Sequence, residues 1–370
     1  MLQGKVYLVT RRAGYNFGSS LQAYALQQIF LHKGYDCEIL DVQEMRLRGR
    51  VRITVFNLVG FICEKLPILS YILGKTRYDR IVQSYWQRRK FDEFNNKKLI
   101  VSKKLHNKKK LHQYIGNGNL IVCGSDQIWN PLSFNPIMAL SFADPSNNRL
   151  AAYAPSLGLQ NIPLHQDEIA YYVGRIEYLS IREESGALLL KELIGLEVPV
   201  LLDPTLVVNK AAWKEIEAPI PLPEGKYILC YFLQTDRIPY QYIKTLAINN
   251  QAKIINIQTN YSACIIDDAD NRSDIGPGNF LYLLKHAFCI ITNSYHCCIF
   301  SHIYGKDFRV FSRFASTDKA NQNSRIETLL GILGEKERWI DRNSDIDHKE
   351  YISEAAMRSR SLMFIEQILK

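Results

Sequence analysis

The sequence lacks the cysteine spacing that marks a metal-binding chain. Its eight cysteines include no Cys-x-x-Cys pair. Cys297 and Cys298 are adjacent, which suits neither a zinc site nor an ordinary disulfide. Others, such as Cys123 and Cys230, lie inside apolar runs, where cysteine behaves as a small buried hydrophobe. We therefore expect no structural metal and a reducing compartment.

Long uninterrupted apolar runs are also missing. The opening residues 1–9 are too polar and too short for the apolar region of a secretory signal, and they fit an opening strand. The most apolar segment, residues 51–73, is interrupted by Glu64, Lys65 and Pro67, which argues against a spanning helix. The sequence therefore predicts a cytoplasmic protein.

Negative charge is scarce in one part of the chain. The 370 residues carry a formal net charge of +9. Between residues 45 and 112, 18 Lys or Arg stand against four acids, a local charge of +14, so that −5 remains for the rest. This basic segment adjoins an apolar, aromatic stretch, a combination typical of docking on an anionic membrane surface and less typical of nucleic-acid binding. A solvated helical face explains the charge equally well.

Short apolar runs alternate with helical patterns along the chain, as they do in parallel α/β sheets. We predict strands over 5–10, 36–41, 119–123, 149–154, 178–182 and 198–202, and then over 226–233, 252–258, 288–292 and 308–311. Helices are predicted over 19–33, 239–249, 278–287, from 296, over 324–333 and over 349–369, with two or three more in the basic segment. Two such series indicate two Rossmann-like, doubly wound lobes with a cleft between them. The expected domains are 1–205 with a basic helical insert at about 45–112, then 206–345, then a C-terminal helix over 346–370.

Several polar residues follow predicted strands, where ligands gather in open α/β sheets. Asn16 and Gly18 precede the first helix, a place where such residues usually only cap. Asp126 follows a buried strand in CGSDQIWNP (123–131), a position that suits a general acid or base, or simply a turn. Trp129 in this block could stack on a sugar or pack in the core.

Two later segments supply cationic candidates. Arg182 lies at a strand end before a helix, where a guanidinium can clamp a carboxylate or phosphate, although Glu183 and Glu184 offer a local ion pair instead. His296 follows Asn293-Ser294-Tyr295 at the start of another helix and is a candidate proton donor or phosphate ligand. His302, six residues further along this apolar helix, is interpreted as structural.

Six sequence segments, taken in their order along the chain, carry a resemblance to a known family. They are NFGSSLQAYALQQIFLHKGYDCEILD, CGSDQIWNP, AAYAPSLG, SIREESG, LLDPTL and TNSYHCCIFSHIYGKDF. Together they resemble the polysaccharide pyruvyltransferase family over residues 1–43 and about 118–335. The resemblance implies a fold like the B-type glycosyltransferases, with a C-terminal helix that returns to the first lobe. It also implies phosphoenolpyruvate as donor, a sugar diol of a bacterial surface polysaccharide or its lipid-linked precursor as acceptor, and a pyruvate ketal and phosphate as products.

The resemblance carries roles over to individual residues. Donor contacts are predicted at Arg182, Ser294, His296, Lys319 and Arg325, and acceptor contacts at Asn16, Gly18, Asp126, Gln127 and Trp129. Asp126 and His296 are the catalytic candidates, with the division into acid and base left open. Neither a metal nor a cofactor is expected beyond phosphoenolpyruvate as co-substrate. Cys297 stands where the family usually has glycine, so the close backbone approach that glycine permits is absent there.

The expected partners are phosphoenolpyruvate, a sugar acceptor that can be polyprenyl-linked, and an anionic membrane contacted through residues 45–112, with no nucleic acid. The protein would then be cytoplasmic and peripheral at the inner face of the membrane. Two alternatives stay open. A sugar-nucleotide glycosyltransferase has the same architecture, which fold analogy does not exclude. A non-catalytic membrane-binding protein on this scaffold would explain the insert, but the presence of Asp126, Arg182 and His296 argues against it.

Overall fold

The computed structural model describes residues 5–12, 14–42, 57–105, 108–233, 237–258, 265–315, 318, 321–341 and 350–370. Lys319 and residues 45–56 of the predicted insert lie outside these ranges. Within them, two five-stranded parallel sheets follow one another along the chain. The predicted two-lobed α/β architecture is confirmed.

The first sheet has the order β2-β1-β3-β4-β5, with all neighbours parallel. Its strands are β1 (Val6–Val9), β2 (Cys37–Ile39), β3 (Leu120–Cys123), β4 (Arg149–Ala152) and β5 (Tyr178–Leu179). Its helices are α1 (Phe17–His32), α2 (57–65), α3 (Leu69–Leu73), α4 (Lys75–Lys98), α5 (Lys108–Ile115), α6 (Gln166–Val173), α7 (Glu184–Ile194), α8 (Pro204–Val207) and α9 (Ala211–Lys214). Strands β1, β2 and β3 are buried at every residue, as expected for a parallel sheet covered on both faces.

The second sheet has the order β10-β9-β6-β7-β8, again parallel. Its strands are β6 (Tyr227–Tyr231), β7 (Lys253–Ile257), β8 (Asp270–Arg272), β9 (Cys289–Thr292) and β10 (Asp307–Val310). Its helices are α10 (Tyr240–Asn250), α11 (Pro277–His286), α12 (Tyr295–Ile303) and α13 (Ser324–Leu333), and α14 (Glu354–Leu369) follows. Two short 3-10 helices cover Pro136–Ala139 and Lys336–Arg338.

A cluster of buried aromatic rings joins the two lobes. Phe17 of α1 stacks on Phe280 of α11, with ring centroids 4.5 Å apart and planes within 4° of parallel. Phe91 of α4 and Tyr231 of β6 meet the same Phe17 ring at 5.0 and 5.5 Å. One continuous hydrophobic core therefore extends from the first lobe into the second.

The C-terminal helix α14 packs back onto the first lobe, as the resemblance implies. Arg358 donates to the backbone carbonyls of Leu206 and Val207. Ser361 Oγ accepts from the backbone N–H of Leu202 at 3.0 Å. These bonds satisfy backbone groups around α8, so the helix ties the end of the chain to the region between the two sheets.

The structure differs from the predicted elements at several places: helices α6, α8 and α9 were not predicted, and the strand predicted over 178–182 is only Tyr178–Leu179. Residues 198–202 form only an isolated bridge, Ile181 to Val200, instead of a strand, because Pro199 has no N–H to continue a ladder. Strand β8 was not predicted, since its sequence Asp-Asn-Arg has no apolar signature. The final helix begins at Glu354, after its Ser353 cap, and not at residue 349.

The described part of the insert bridges the lobes. Lys90 of α4 lies 3.4 Å from Asp274, and Gln87 donates to the backbone carbonyl of Gln258 at 3.0 Å, both across the lobe boundary. None of the described helices is long and apolar enough to cross a bilayer. The insert therefore helps to fix the position of one lobe relative to the other.

His302 of α12 should make stability depend on pH. Its Nε2 lies 3.1 Å from Glu354 and its Nδ1 3.4 Å from Glu335. The close contact with the Glu335 carboxylate is the main cause that raises the pKa of His302 above its usual value, against the opposing effect of burial. A histidine whose pKa is higher in the folded state stabilises that state fully at pH values below its unfolded pKa of about 6.5. This stabilisation is lost as the pH rises through the folded-state pKa.

We therefore expect the free energy of unfolding to fall by up to about 1 kcal/mol from this source as pH rises above about 6.5. His302→Gln should remove that component, measured by urea unfolding between pH 5.5 and 9. His286→Gln, at an exposed helix end, is the matched control and should keep the wild-type response. An unchanged pH response in His302→Gln would contradict the assignment.

Candidate active site

A cavity lies between the lobes, where the carboxyl ends of strands from both sheets meet. Arg11 follows β1, Asp126 follows β3, His296 follows β9 and Arg313 follows β10. The lining residues are Arg11, Asn16, Ser19, Asp126, Gln127, Leu233, Asn293, Ser294, Tyr295, His296, Arg313, Phe314, Gln322, Asn323, Arg325 and Ile326. Both lobes thus contribute polar groups to one site.

Asp126 is held at the cavity by two hydrogen bonds. Its Oδ2 accepts from Ser19 Oγ at 2.6 Å, and its Oδ1 accepts from the backbone N–H of Gln127 at 2.8 Å. Burial alone would raise its pKa, but the charges of His296, Arg182 and Arg11 and the Ser19 hydrogen bond outweigh burial and lower it. Asp126 is therefore ionised near neutral pH and can act as a proton acceptor.

Asp203 joins the two lobes through one buried carboxylate. Its Oδ2 lies 2.7 Å from Arg182 Nη1 of the first lobe and 3.2 Å from His296 Nε2 of the second. Its Oδ1 accepts from the N–H and the hydroxyl of Thr205. Burial would raise the pKa of Asp203, but His296 and Arg182 hold it well below its usual range. The carboxylate therefore stays charged and orients both cationic candidates.

Arg182 lies behind the cavity wall. Its guanidinium carbon sits 4.4 Å from the ring centroid of Tyr295, which lines the cavity, whereas Arg182 does not. Its Nε and Nη2 atoms are buried and have no hydrogen-bond partner among the described residues. The predicted alternative of a local Arg182–Glu183 ion pair does not occur, because the guanidinium of Arg182 pairs with the carboxylate of Asp203 instead. Glu183 instead accepts from Ser156 Oγ and the backbone N–H groups of residues 157 and 158.

Three guanidinium groups give the cavity a surplus of positive charge. Arg11, Arg313 and Arg325 line it, and none forms an ion pair with a carboxylate in the part of the chain that the structure describes. Burial, with repulsion from Arg182, lowers the pKa of Arg325 to about 10. Arg325 stays protonated near neutral pH, so a buried cation without a counter-ion faces the cavity. Such a set favours a ligand with more than one negative group.

Gly18 leaves space for the imidazole of His296. An added Cβ at Gly18 would lie 2.1 Å from Nδ1 of His296. The first turn of α1 begins at Asn16, whose side chain accepts from the backbone N–H of Ser19 at 3.1 Å. The imidazole therefore lies between this turn and Asp203, with one ring nitrogen toward each.

Most of the residues predicted from the sequence lie at this cavity. Lining residues are Asn16, Asp126, Gln127, Ser294, His296 and Arg325, with Gly18 directly beneath His296. Trp129 is completely buried and donates through Nε1 to the carbonyl of Met138 at 3.1 Å, so it packs in the core and is not retained as an acceptor contact. Lys319 lies outside the described residues. No group of three His, Cys, Asp or Glu side chains in the described ranges is arranged to hold a metal ion.

Sequence reasoning missed several residues of the site, and four of them matter most for its chemistry. Ser19, Asp203, Arg11 and Arg313 contribute a hydrogen bond, a bridging carboxylate and two cations. Arg11 and Arg313 come shortly after the ends of β1 and β10, as Asp126 comes after β3, so the strand-end rule that selected Asp126 would have selected them too. Asp203 pairs with Arg182 and His296, which are 21 and 93 positions away in the sequence. No local sequence pattern predicts such a pairing.

The fold is similar to those of several solved epimerases and a heptosyltransferase. A putative UDP-N-acetylglucosamine 2-epimerase from Listeria monocytogenes is 10% identical, with a TM-score of 0.51, 99% of this chain and 96% of that chain covered. The UDP-GlcNAc 2-epimerase from Neisseria meningitidis is 11% identical, with a TM-score of 0.49 and 99% of both chains covered. The heptosyltransferase WaaC from E. coli is 9% identical, with a TM-score of 0.44, 98% of this chain and 99% of that chain covered. No curated protein sequence matches the chain. At these identities the likeness shows the fold alone.

The chain thus has a two-lobed α/β fold like that of the B-type glycosyltransferases, with a polar cavity between the lobes. The family model for polysaccharide pyruvyl transferase matches residues 16–313. Because that match covers most of the chain, the protein belongs to the polysaccharide pyruvyl transferase family.

The Gly18–His296 contact predicts that the effect of Gly18→Ala on stability depends on whether the imidazole of His296 is present. Gly18→Ala should cost about 1–3 kcal/mol in the wild-type protein, because the new methyl group overlaps the imidazole. In a His296→Ala background the ring is gone and alanine favours a helix over glycine by about 1 kcal/mol, so the same change should be neutral or stabilising. Urea unfolding of the four proteins measures both effects. Equal destabilisation in both backgrounds would show that the imidazole is not what Gly18 accommodates.

Proposed function

We propose that the protein transfers the enolpyruvyl unit of phosphoenolpyruvate to a sugar diol, forming a pyruvate ketal and releasing phosphate. The observation that carries the proposal is the surplus of cations among the described residues that line the cavity: Arg11, Arg313 and Arg325 against one carboxylate, that of Asp126. Phosphoenolpyruvate carries a carboxylate and a phosphate, which suit more than one guanidinium. Family membership supports pyruvyl transfer to a polysaccharide acceptor.

The reaction balances with the groups at hand. A proton adds to the methylene carbon of the donor, which becomes a methyl group, and the adjacent carbon becomes oxocarbenium-like. Two sugar hydroxyls bond to that carbon in turn, and its bond to the phosphate oxygen breaks. One hydroxyl proton replaces the proton given to the methylene carbon, and the other leaves with inorganic phosphate. No oxidant or reductant is needed.

We assign the donor anions to the guanidinium groups. Arg325 and Arg313 would contact the carboxylate and the phosphate, whose charge grows as it leaves. Arg182 would contribute its charge from behind Tyr295, with Ser294 at the start of α12 offering a hydroxyl. Lys319 remains a candidate donor contact through the sequence resemblance alone.

We assign the proton transfers to Asp126 and His296. Asp126 is an ionised carboxylate, so it would accept the proton of the attacking hydroxyl. His296, oriented by Asp203, would supply the proton to the methylene carbon. Asn16 and Gln127 line the cavity beside Asp126 and would hold the acceptor sugar. We further propose that this sugar belongs to a bacterial surface polysaccharide or its lipid-linked precursor.

Donor binding should be visible as thermal stabilisation. Phosphoenolpyruvate at about 100 times its dissociation constant should stabilise the fold by roughly 2.7 kcal/mol, whereas UDP-N-acetylglucosamine should not. Arg325→Gln should lose that stabilisation and reduce phosphate release about a hundredfold, because one preorganised charge on the transition state is removed. Differential scanning fluorimetry and a phosphate assay with candidate diols measure the two effects.

Lys253→Gln is the charge-matched control. Lys253 is exposed at the amino end of β7, away from the carboxyl edge that forms the cavity, so this variant should respond to phosphoenolpyruvate as the wild type does. Stabilisation by the nucleotide sugar and not by phosphoenolpyruvate would favour the glycosyltransferase alternative. Stabilisation by neither would remove the support for an anionic donor.

Asp203 is proposed as a positioning residue. Asp203→Asn keeps an oxygen for the Thr205 cap but removes the charge that holds Arg182 and His296. We expect kcat to fall about tenfold or more, with a smaller change in the KM for phosphoenolpyruvate, because the imidazole loses its orientation.

Thr205→Val is the control for that variant. It removes the Thr205 hydroxyl bond to Oδ1 of Asp203 and leaves the Oδ2 contacts intact, so it should cost stability while keeping kcat. Both variants are assayed at a temperature where circular dichroism shows them folded. Equal kcat values in the two variants would mean that Asp203 acts only on stability.

A further inference from the structure

Helices α2 and α3 present an apolar surface to solvent. Exposed side chains of this hairpin include Leu58, Phe61, Leu66, Ile68, Tyr71 and Ile72, hereafter the apolar hairpin. Tyr71 and Ile72 are 89% and 74% exposed. So many exposed apolar side chains within one short segment are unusual on a monomeric protein and indicate a contact with another apolar phase.

The inner side of the hairpin is already packed. Gly60 of α2 lies against Tyr85 of α4, where an added Cβ would come within 2.6 Å of the Tyr85 Cβ. The Tyr78 hydroxyl of α4 donates to the carbonyl of Cys63 at 2.9 Å. The hairpin therefore cannot turn its outer face inward without breaking these contacts.

Charge decides what can cover this surface. Residues 45–112, which contain the hairpin, carry +14, and Lys65 and Lys75 are exposed beside the apolar side chains. A symmetric contact with a second copy would bring two such charges together. A bilayer with anionic headgroups satisfies both features, since apolar side chains enter the acyl boundary while lysines meet the headgroups.

We propose that the apolar hairpin docks the protein on an anionic lipid surface, lying in the interface and not crossing it. Each basic residue near such a surface contributes roughly 1 kcal/mol at low salt, and the attraction is screened as salt rises.

The hairpin is also close to the acceptor side of the cavity. Asn57, at the start of the described part of α2, accepts from Arg88 of α4 at 3.4 Å. The Arg88 guanidinium lies 5.2 Å from the ring of Tyr15, the residue before Asn16 of the cavity. A docked hairpin would thus bring the Asn16 side of the cavity near the lipid headgroups, where a lipid-carried sugar would be found. This last point rests on the proposed function, whereas docking itself does not.

Vesicle flotation tests the docking. The full chain is mixed with vesicles of phosphatidylcholine and phosphatidylglycerol, and with vesicles of phosphatidylcholine alone, at low and high salt. We expect flotation with the anionic vesicles that weakens with salt. The double variant Tyr71→Ser, Ile72→Ser should bind these vesicles about tenfold more weakly or worse, because it buries less apolar surface in the bilayer. Ile248→Ser, at a site 76% exposed on α10, is the control and should bind as the wild type does.

Three results would overturn the proposal. They are absence of flotation at low salt, equal binding by the double variant, or a concentration-dependent dimer that the double variant dissolves, since a second copy would then cover the surface. Retention on DNA in place of vesicles would count against it in the same way. Thermal stabilisation by phosphoenolpyruvate is measured beside flotation on the wild-type protein. In that protein, stabilisation without docking refutes only the hairpin proposal, and docking without stabilisation refutes only the proposed function.

Discussion

The site depends on one buried carboxylate shared between two lobes. Asp203 meets a guanidinium from the first lobe and an imidazole from the second through the same oxygen atom. Removing such charges from water is costly, and the cost is offset only while the partners stay within hydrogen-bond distance. The relative position of Arg182 and His296 is therefore coupled to the charge of Asp203, and with it the shape of the cavity in front of them.

Helix α1 transmits this constraint to the rest of the fold. Phe17 stacks on Phe280 of the second lobe, Gly18 makes room for His296, and Ser19 binds Asp126. Three consecutive residues thus serve lobe packing, imidazole placement and carboxylate orientation. This explains why a stretch with the composition of an ordinary helix start carries so much of the site.

The cavity is electrostatically incomplete without a ligand. Arg325 is buried beside Arg182, and its pKa is lowered to about 10 because the charged form has lost its hydration. An anion would replace that hydration, so the cations of the cavity favour a negatively charged ligand. The same physics operates at the surface of the insert, where positive charge surrounds apolar side chains that face water.

Local sequence patterns determined most of the elements and part of the site. Parallel strands such as β1 and β3 are buried on both faces, so their apolar runs were recognisable, and Asp126 and His296 were found because they follow such runs. Ordered blocks of sequence also indicated the family. Only the tertiary structure decided that Trp129 packs in the core, that Asp203 and not Glu183 pairs with Arg182, and that Arg11 and Arg313 face the same cavity. The reason is physical: a periodic pattern reports which face of an element is buried, whereas the partner of a buried charge is set by how separate elements pack against one another.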